Sequence, residues 1–139
     1  MVVKYVINTD VVSGLMRPGS SDKVISWFQD HGEDAYLNAV TVKELYCEIM
    51  SLSEGEGRSL LHEALTAIVM QFSDSMLSFD AQCGYLCAEL QSRAIACGKT
   101  PAVENLMIAA ICLRNDAMLV TCSVEDFDYL GIPLLNPFE

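Results

Sequence analysis

Tyr5-Val6-Ile7-Asn8-Thr9-Asp10-Val11-Val12-Ser13-Gly14-Leu15-Met16-Arg17-Pro18 begins as an apolar, β-like run and stops at small polar residues before a helical pattern sets in. A strand that ends there delivers an amide, a hydroxyl and a carboxylate to its carboxyl end. In an open parallel sheet that end is where ligands gather. Outward from this stretch, strand-like and helix-like segments alternate, with strands predicted over 2–7, 35–39, 76–79, 117–121 and 133–135. Ser20 or Ser21 is placed to cap a helix that runs to about Asp30 and closes at Gly32, and Thr41 to open another that ends before Gly55. Arg58 to Phe72 is amphipathic and turns Leu61, Leu65, Ile68 and Val69 inward; Asp80 to Cys97 shows Tyr85, Leu86 and Leu90 before Gly98. Thr100-Pro101 is an N-terminal signal for the helix that carries Asn105.

This alternation, without repeats, low-complexity stretches or a linker, predicts an α/β fold with a central parallel sheet of four to five strands flanked by helices. At 139 residues and 52% hydrophobic the chain can fill one core and is short for two, so one domain over 1–139 is expected. The apolar helix around Leu106 to Leu113 is far short of the roughly 20 residues that span a bilayer, and Met1-Val2-Val3-Lys4-Tyr5 has none of the marks of a signal peptide. A cytoplasmic protein with no membrane association is the expectation.

A formal charge of −11 with a pI near 4.4 argues against nucleic-acid binding through a broad basic surface. Any RNA contact must be local or metal-mediated, with Arg17, Lys43 and Lys99 either contributing or serving as ordinary surface cations. Cys47, Cys83, Cys87, Cys97, Cys112 and Cys122 contain no C-x-x-C pair, and His31 and His62 lack ligand spacing, so zinc is not expected. Cys83 and Cys87 lie four apart on a helix face and are read as buried small hydrophobes. His31, before Gly32, suits a helix end, where a cation offsets the dipole.

Further motifs follow the opening one in order. Asn38-Ala39-Val40-Thr41-Val42-Lys43-Glu44-Leu45 places Glu44 three residues after Thr41. Pro101-Ala102-Val103-Glu104-Asn105-Leu106-Met107-Ile108-Ala109-Ala110 carries Asn105 in a helix ending Ile-Ala-Ala. Leu119-Val120-Thr121-Cys122-Ser123-Val124-Glu125-Asp126-Phe127 ends on Asp-Phe, and the chain closes with Leu135-Asn136-Pro137-Phe138. Together these stretches, spread over nearly the whole chain, resemble PIN-domain proteins, most closely the VapC-type toxins of toxin–antitoxin (plasmid stability) systems.

The resemblance implies an endoribonuclease in which clustered carboxylates hold Mg²⁺ or Mn²⁺, the ion activating water for in-line attack on an RNA phosphodiester. It puts Asn8, Glu44, Asn105 and Asp126 at the catalytic positions, and these with Asp10 at the metal. Thr9, Thr121 and Ser123 would position phosphate or water. The chain departs from the family pattern in telling places. Where the family strand ends Asp-Thr-Asn, this one reads Asn8-Thr9-Asp10, acid and amide exchanged; Asn105 stands for another Asp. Cys122 and Ser123 replace an Arg and an Asn, and Gly14 stands where relatives often carry an acid. Asparagine keeps the size and one carbonyl acceptor of aspartate but not its charge. The nominal acid set falls from four to two, so metal affinity and activity are expected to be weakened or lost.

Purely structural roles stand beside each of these. Thr41-Val42-Lys43-Glu44 fits a capping box, and Ser123-Val124-Glu125-Asp126 places an acid at the third position after a potential cap. Asn8 and Asn105 can be plain hydrogen-bonding groups. Conversely, Asp10 and Glu104 are near enough in sequence to restore charge: Asp10 if the chain stays extended, Glu104 only against a rotation of about 100° from Asn105 around its helix.

The expected function is thus a VapC-like toxin component of weakened or lost activity, with RNA as substrate; alternatives are an inactive PIN module that works by binding an antitoxin or another copy, and a DNA-directed nuclease. Family resemblance further implies a homodimer and an antitoxin whose tail, often with a basic side chain, enters the acidic groove. Val11, Leu15 and Met16, and the stretch Leu45 to Leu52, are either those contact surfaces or core.

Overall fold

A computed structural model describes residues 3–139. Five strands, β1 (Lys4–Ile7), β2 (Ala35–Asn38), β3 (Met76–Leu77), β4 (Ala117–Val120) and β5 (Leu134–Leu135), form one sheet in the order β3-β2-β1-β4-β5. Every pairing is parallel. Such strands need long crossovers, supplied by α1 (Thr9–Leu15), α2 (Asp22–His31), α3 (Ala39–Met50), α4 (Glu56–Gln71), α5 (Ala81–Ala96) and α6 (Val103–Arg114). All predicted strands are present, trimmed by one or two residues; position 2 of the first lies outside the described residues.

Helices cover both faces of the sheet, and the two-residue period of a strand shows it. In β1, Val6 packs with α5 and α6 whereas Ile7 packs with α1, α2 and α4; in β4, Leu119 and Val120 divide the same way. All four are essentially inaccessible to solvent. The α6 segment Ile108-Ala109-Ala110-Ile111-Cys112 is buried on every side, as suits a helix apolar all round.

Several local expectations are corrected. The chain does not stay extended past Asn8: α1 starts at Thr9, so Asp10 lies in the first helical turn. α3 starts at Ala39, not Thr41, because Asn38 ends the strand and takes the cap, its side chain accepting from Thr41 N at 2.9 Å. The capping box proposed for Thr41 and Glu44 is therefore absent; Glu44 stands in the second turn. α6 begins at Val103 behind Ala102, leaving Pro101 outside the helix. Ser123 caps nothing with its side chain, since its hydroxyl is drawn to Asp10 and residues Val124–Asp126 form a 3-10 turn.

Val11 and Leu45 are core residues, which removes them from any partner surface, while Met50 and Leu52 at the end of α3 are 49% and 42% exposed. His31 completes an aromatic cluster, its ring centroid 5.1 Å from Trp27 and 5.4 Å from Tyr5. All six cysteines are free, and burial pushes the thiols of Cys83 and Cys87 up and that of Cys112 to about 12. Among the described residues no helix is long and apolar enough to cross a membrane.

Candidate active site

β1 and β4 run side by side with Ile7 opposite Val120, and Asn8 N donates to Val120 O at 2.9 Å. The residues just past both strands thus meet at the carboxyl edge of the sheet. Asn8 Nδ2 donates to Thr121 Oγ1 at 3.0 Å, and Thr121 Oγ1 donates to Asp10 Oδ2 at 2.9 Å. The same Asp10 oxygen accepts from Cys122 N (3.2 Å), Cys122 Sγ (2.9 Å) and Ser123 Oγ (2.9 Å), while Asp10 Oδ1 accepts from Val11 N at 2.8 Å. Asp10 therefore ties the 121–123 loop to the start of α1. Desolvation, then the hydrogen bond and charge of Asp10, push the Cys122 thiol up to about 11, so at neutral pH it is a donor and not a nucleophilic thiolate.

A second chain of bonds reaches the site from α3. Asn38 Nδ2 donates to Thr41 Oγ1 (3.0 Å), which lies 3.0 Å from Thr9 Oγ1; Thr9 in turn donates to Glu44 Oε1 at 2.7 Å. A hydroxyl has one proton. Because that of Thr9 is on Glu44, Thr41 is the donor to Thr9, and the relay runs from a buried amide to a carboxylate.

Both relays end at one hollow of about 370 Å³ lined by Asn8, Thr9, Asp10, Ser13, Glu44, Glu48, Asn105, Ser123, Asp126 and Phe127. Of the residues predicted for the site, only Thr121 is off this wall; it is fully buried behind it, bonded to Asn8 and Asp10. Ser13, Glu48 and Phe127 are additions. Ser13 and Glu48 each follow a predicted residue by four on their helices, Thr9 and Glu44 respectively, and that spacing puts side chains on one face. Glu104 does not line the hollow: it pairs with Lys43 Nζ at 2.9 Å on the surface. That hydrogen bond holds the Glu104 carboxyl below its usual range and Lys43 above its own. Lys99 lies over the Tyr129 ring, and Arg17 lines neighbouring hollows, so none of the three candidate cations faces this one.

Asn8 is 5% exposed, and its Oδ1 is buried without a hydrogen-bond partner among the described residues. An orphaned buried acceptor is unfavourable by about 1–3 kcal/mol unless something binds it. The polar side chains around it are carboxylates, amides and hydroxyls, an oxygen-rich set that fits a hard divalent cation. Among the described residues no group of three or more His, Cys, Asp or Glu is placed to hold a metal ion on its own, so amide oxygens would have to share in the coordination.

No protein-family model matches the chain. It is 30% identical to Toxin FitB of Neisseria gonorrhoeae over 135 residues, covering 96% of this chain and 97% of the relative. The plasmid stability protein StbB of Pseudomonas syringae pv. tomato is likewise 30% identical over 135 residues, with the same coverage. The VapC ribonuclease Y4jK of Sinorhizobium fredii is 27% identical over 136 residues, 96% of this chain and 97% of the relative. Among solved structures, FitAcB from Neisseria gonorrhoeae superposes with a TM-score of 0.87 at 29% identity, over 97% of this chain and 99% of that one.

Proposed function

The chain belongs to the VapC/FitB toxin family, and from that premise we propose that it is the toxin half of a toxin–antitoxin pair whose metal-dependent ribonuclease centre is attenuated. One observation carries this reading. Asn8, Glu44, Asn105 and Asp126 converge on a single hollow at the carboxyl edge of the sheet, and of these four positions only Glu44 and Asp126 are carboxylates.

In this reading Glu44, Asp126 and the carbonyl oxygens of Asn8 and Asn105 would hold Mg²⁺ or Mn²⁺, which when bound supplies charge neutralisation at a phosphate and a water of lowered pKa. Thr9 keeps the Glu44 carboxylate turned toward α1. Asp10, its Oδ2 already accepting from Thr121, Cys122 and Ser123, orders the loop that leads to Asp126 instead of serving as a ligand. Thr121 and Ser123 act through Asp10. With amides in place of acids, Asn8 and Asn105 lower the negative potential that would draw a cation, and with it the rate.

A chain of net charge −11 suits an antitoxin that inserts a basic side chain among these carboxylates. An apolar hollow of about 410 Å³ beside Ile7, between α1, α2 and α4, can take an apolar segment of the same partner. A homodimer and one domain over the whole chain complete the proposal.

The test is cleavage of a mixed structured-RNA pool in Mn²⁺ by the unmodified chain and by Glu44→Gln. Slow cleavage that Glu44→Gln abolishes is expected; cleavage indifferent to Glu44 overturns the assignment. Saturation of Asp10 favours a second reading, in which the module only binds, and RNA left intact while an antitoxin is still captured would select it.

A further inference from the structure

Thr121 Oγ1 has one proton and two lone pairs, and all are used. It accepts from Asn8 Nδ2 at 3.0 Å and from Ser123 N at 3.0 Å, and donates to Asp10 Oδ2 at 2.9 Å. Thr121 is fully buried, so water cannot supply a missing partner. From this we infer that Asn8 and Asp10 are a coupled pair, joined through Thr121 as positioning residues: position 8 can carry a metal-binding carboxylate only if position 10 gives up its own, because exchanging the two reverses the relay.

Each single change breaks the relay in a definite way. Asn8→Asp removes the donor on one side of the hydroxyl, leaves one proton between two carboxylates, and puts a second charge into a nearly inaccessible position. Asp10→Asn puts an NH₂ group either against Val11 N, itself a donor, or in the place of the oxygen to which Thr121, Cys122 and Ser123 all donate. Making both changes relieves both conflicts. The new amide at position 10 accepts from Val11 N with its oxygen and donates toward Thr121 and Ser123, whose hydroxyls can accept. The Thr121 proton then turns to the carboxylate at position 8. Cys122 N–H loses its acceptor, but Cys122 is exposed and water replaces it. The exchanged protein has the same composition and the same net charge as the parent, so any difference between them comes from placement alone.

The inference rests on the metal-centre reading above for its consequence, not for its geometry, and the experiment separates the two. Thermal unfolding and Mn²⁺ affinity are measured for the parent, Asn8→Asp, Asp10→Asn and the double variant, each also in a Thr121→Val background. Each single change is expected to lower Tm by about 3–6 °C, and the double variant to return to within about 2 °C of the parent. The double variant should also bind Mn²⁺ at least about tenfold more tightly than the parent. In the Thr121→Val background the coupling should vanish. Additive losses of Tm, or coupling that survives without the Thr121 hydroxyl, would overturn the inference. If Asn8→Asp fails to fold, recovery of folding by Asp10→Asn supports it and continued failure overturns it. Coupled Tm values with unimproved Mn²⁺ binding keep the relay and sink the metal centre. Equal tightening of Mn²⁺ in Asn8→Asp and the double variant does the reverse.

Discussion

Thr9 Oγ1 donates to Glu44 Oε1 at 2.7 Å, tying the first residue of α1 to the second turn of α3. A carboxylate on a long, flexible side chain is thereby given one orientation before any ligand arrives. Thr9→Val is expected to cost about 1 kcal/mol of stability and to weaken Mn²⁺ binding about tenfold, with Thr9→Ser close to the parent. Unchanged Mn²⁺ affinity in a folded Thr9→Val protein, measured by calorimetry, would show that Glu44 needs no such support.

Asn38 begins that relay and caps α3 at the same time, while fully buried. Asn38→Ala should therefore lose about 1–3 kcal/mol in urea denaturation, because Thr41 N is left without its acceptor inside the protein. Asn38→Ser keeps an uncharged capping acceptor and loses the donor to Thr41 Oγ1, so it should fall between the parent and Asn38→Ala. A loss no larger for Ala than for Ser would contradict the cap as the main role.

Why Asn38 was not legible, when Glu44 was, has a physical answer. The apolar alternation of Ala35 to Asn38 and the onset of helical spacing after it locate the junction within a few residues, but Thr41 and Asn38 are both good caps, and only the end of strand pairing with β3 selects between them. α1 posed the same difficulty. Its Thr-Asp-Val-Val opening has little helical preference, so the helix is set by packing of Val11 and Val12 against the sheet, and Ser13 went unread as a site residue for that reason. The sheet was plain from hydrophobic runs, and so was the meeting of Asn8 with Thr121, because both end strands of one parallel sheet. What Glu104 pairs with was not: helix rotation already parts it from Asn105, but its partner Lys43 comes from α3.

Gly14 lies in α1 without a positive φ, and nothing stands within 4 Å of where a Cβ would be. Gly14→Ala should raise stability by about 0.5–1 kcal/mol through helix propensity alone. Calorimetry showing a lower Tm would mean that α1 requires the glycine for a contact or motion not apparent in its surroundings.

The Lys43–Glu104 pair makes a signed prediction in pH. Its hydrogen bond lowers the Glu104 pKa from 4.5, so the linked stability is present above that value and is lost as pH falls through the lowered one. Lys43 is raised from 10.5, so its share is present below that and is lost as pH rises past it. The Tm difference between the parent and Glu104→Gln should hold through neutral pH, shrink in acid, and fade in about 1 M salt, since the pair is exposed. A difference that grew in acid would reverse the sign of the linkage.

The most direct measurement is Mn²⁺-dependent cleavage of a structured-RNA pool by the Asn8→Asp/Asp10→Asn/Asn105→Asp variant beside the parent, with Glu44→Gln added to each. If a PIN-type centre has been attenuated by amides, the variant should cleave at least about 100-fold faster than the parent, a lowering of the barrier by about 2.7 kcal/mol, and lose that gain with Glu44→Gln. A folded variant that cleaves no faster than the parent would contradict it.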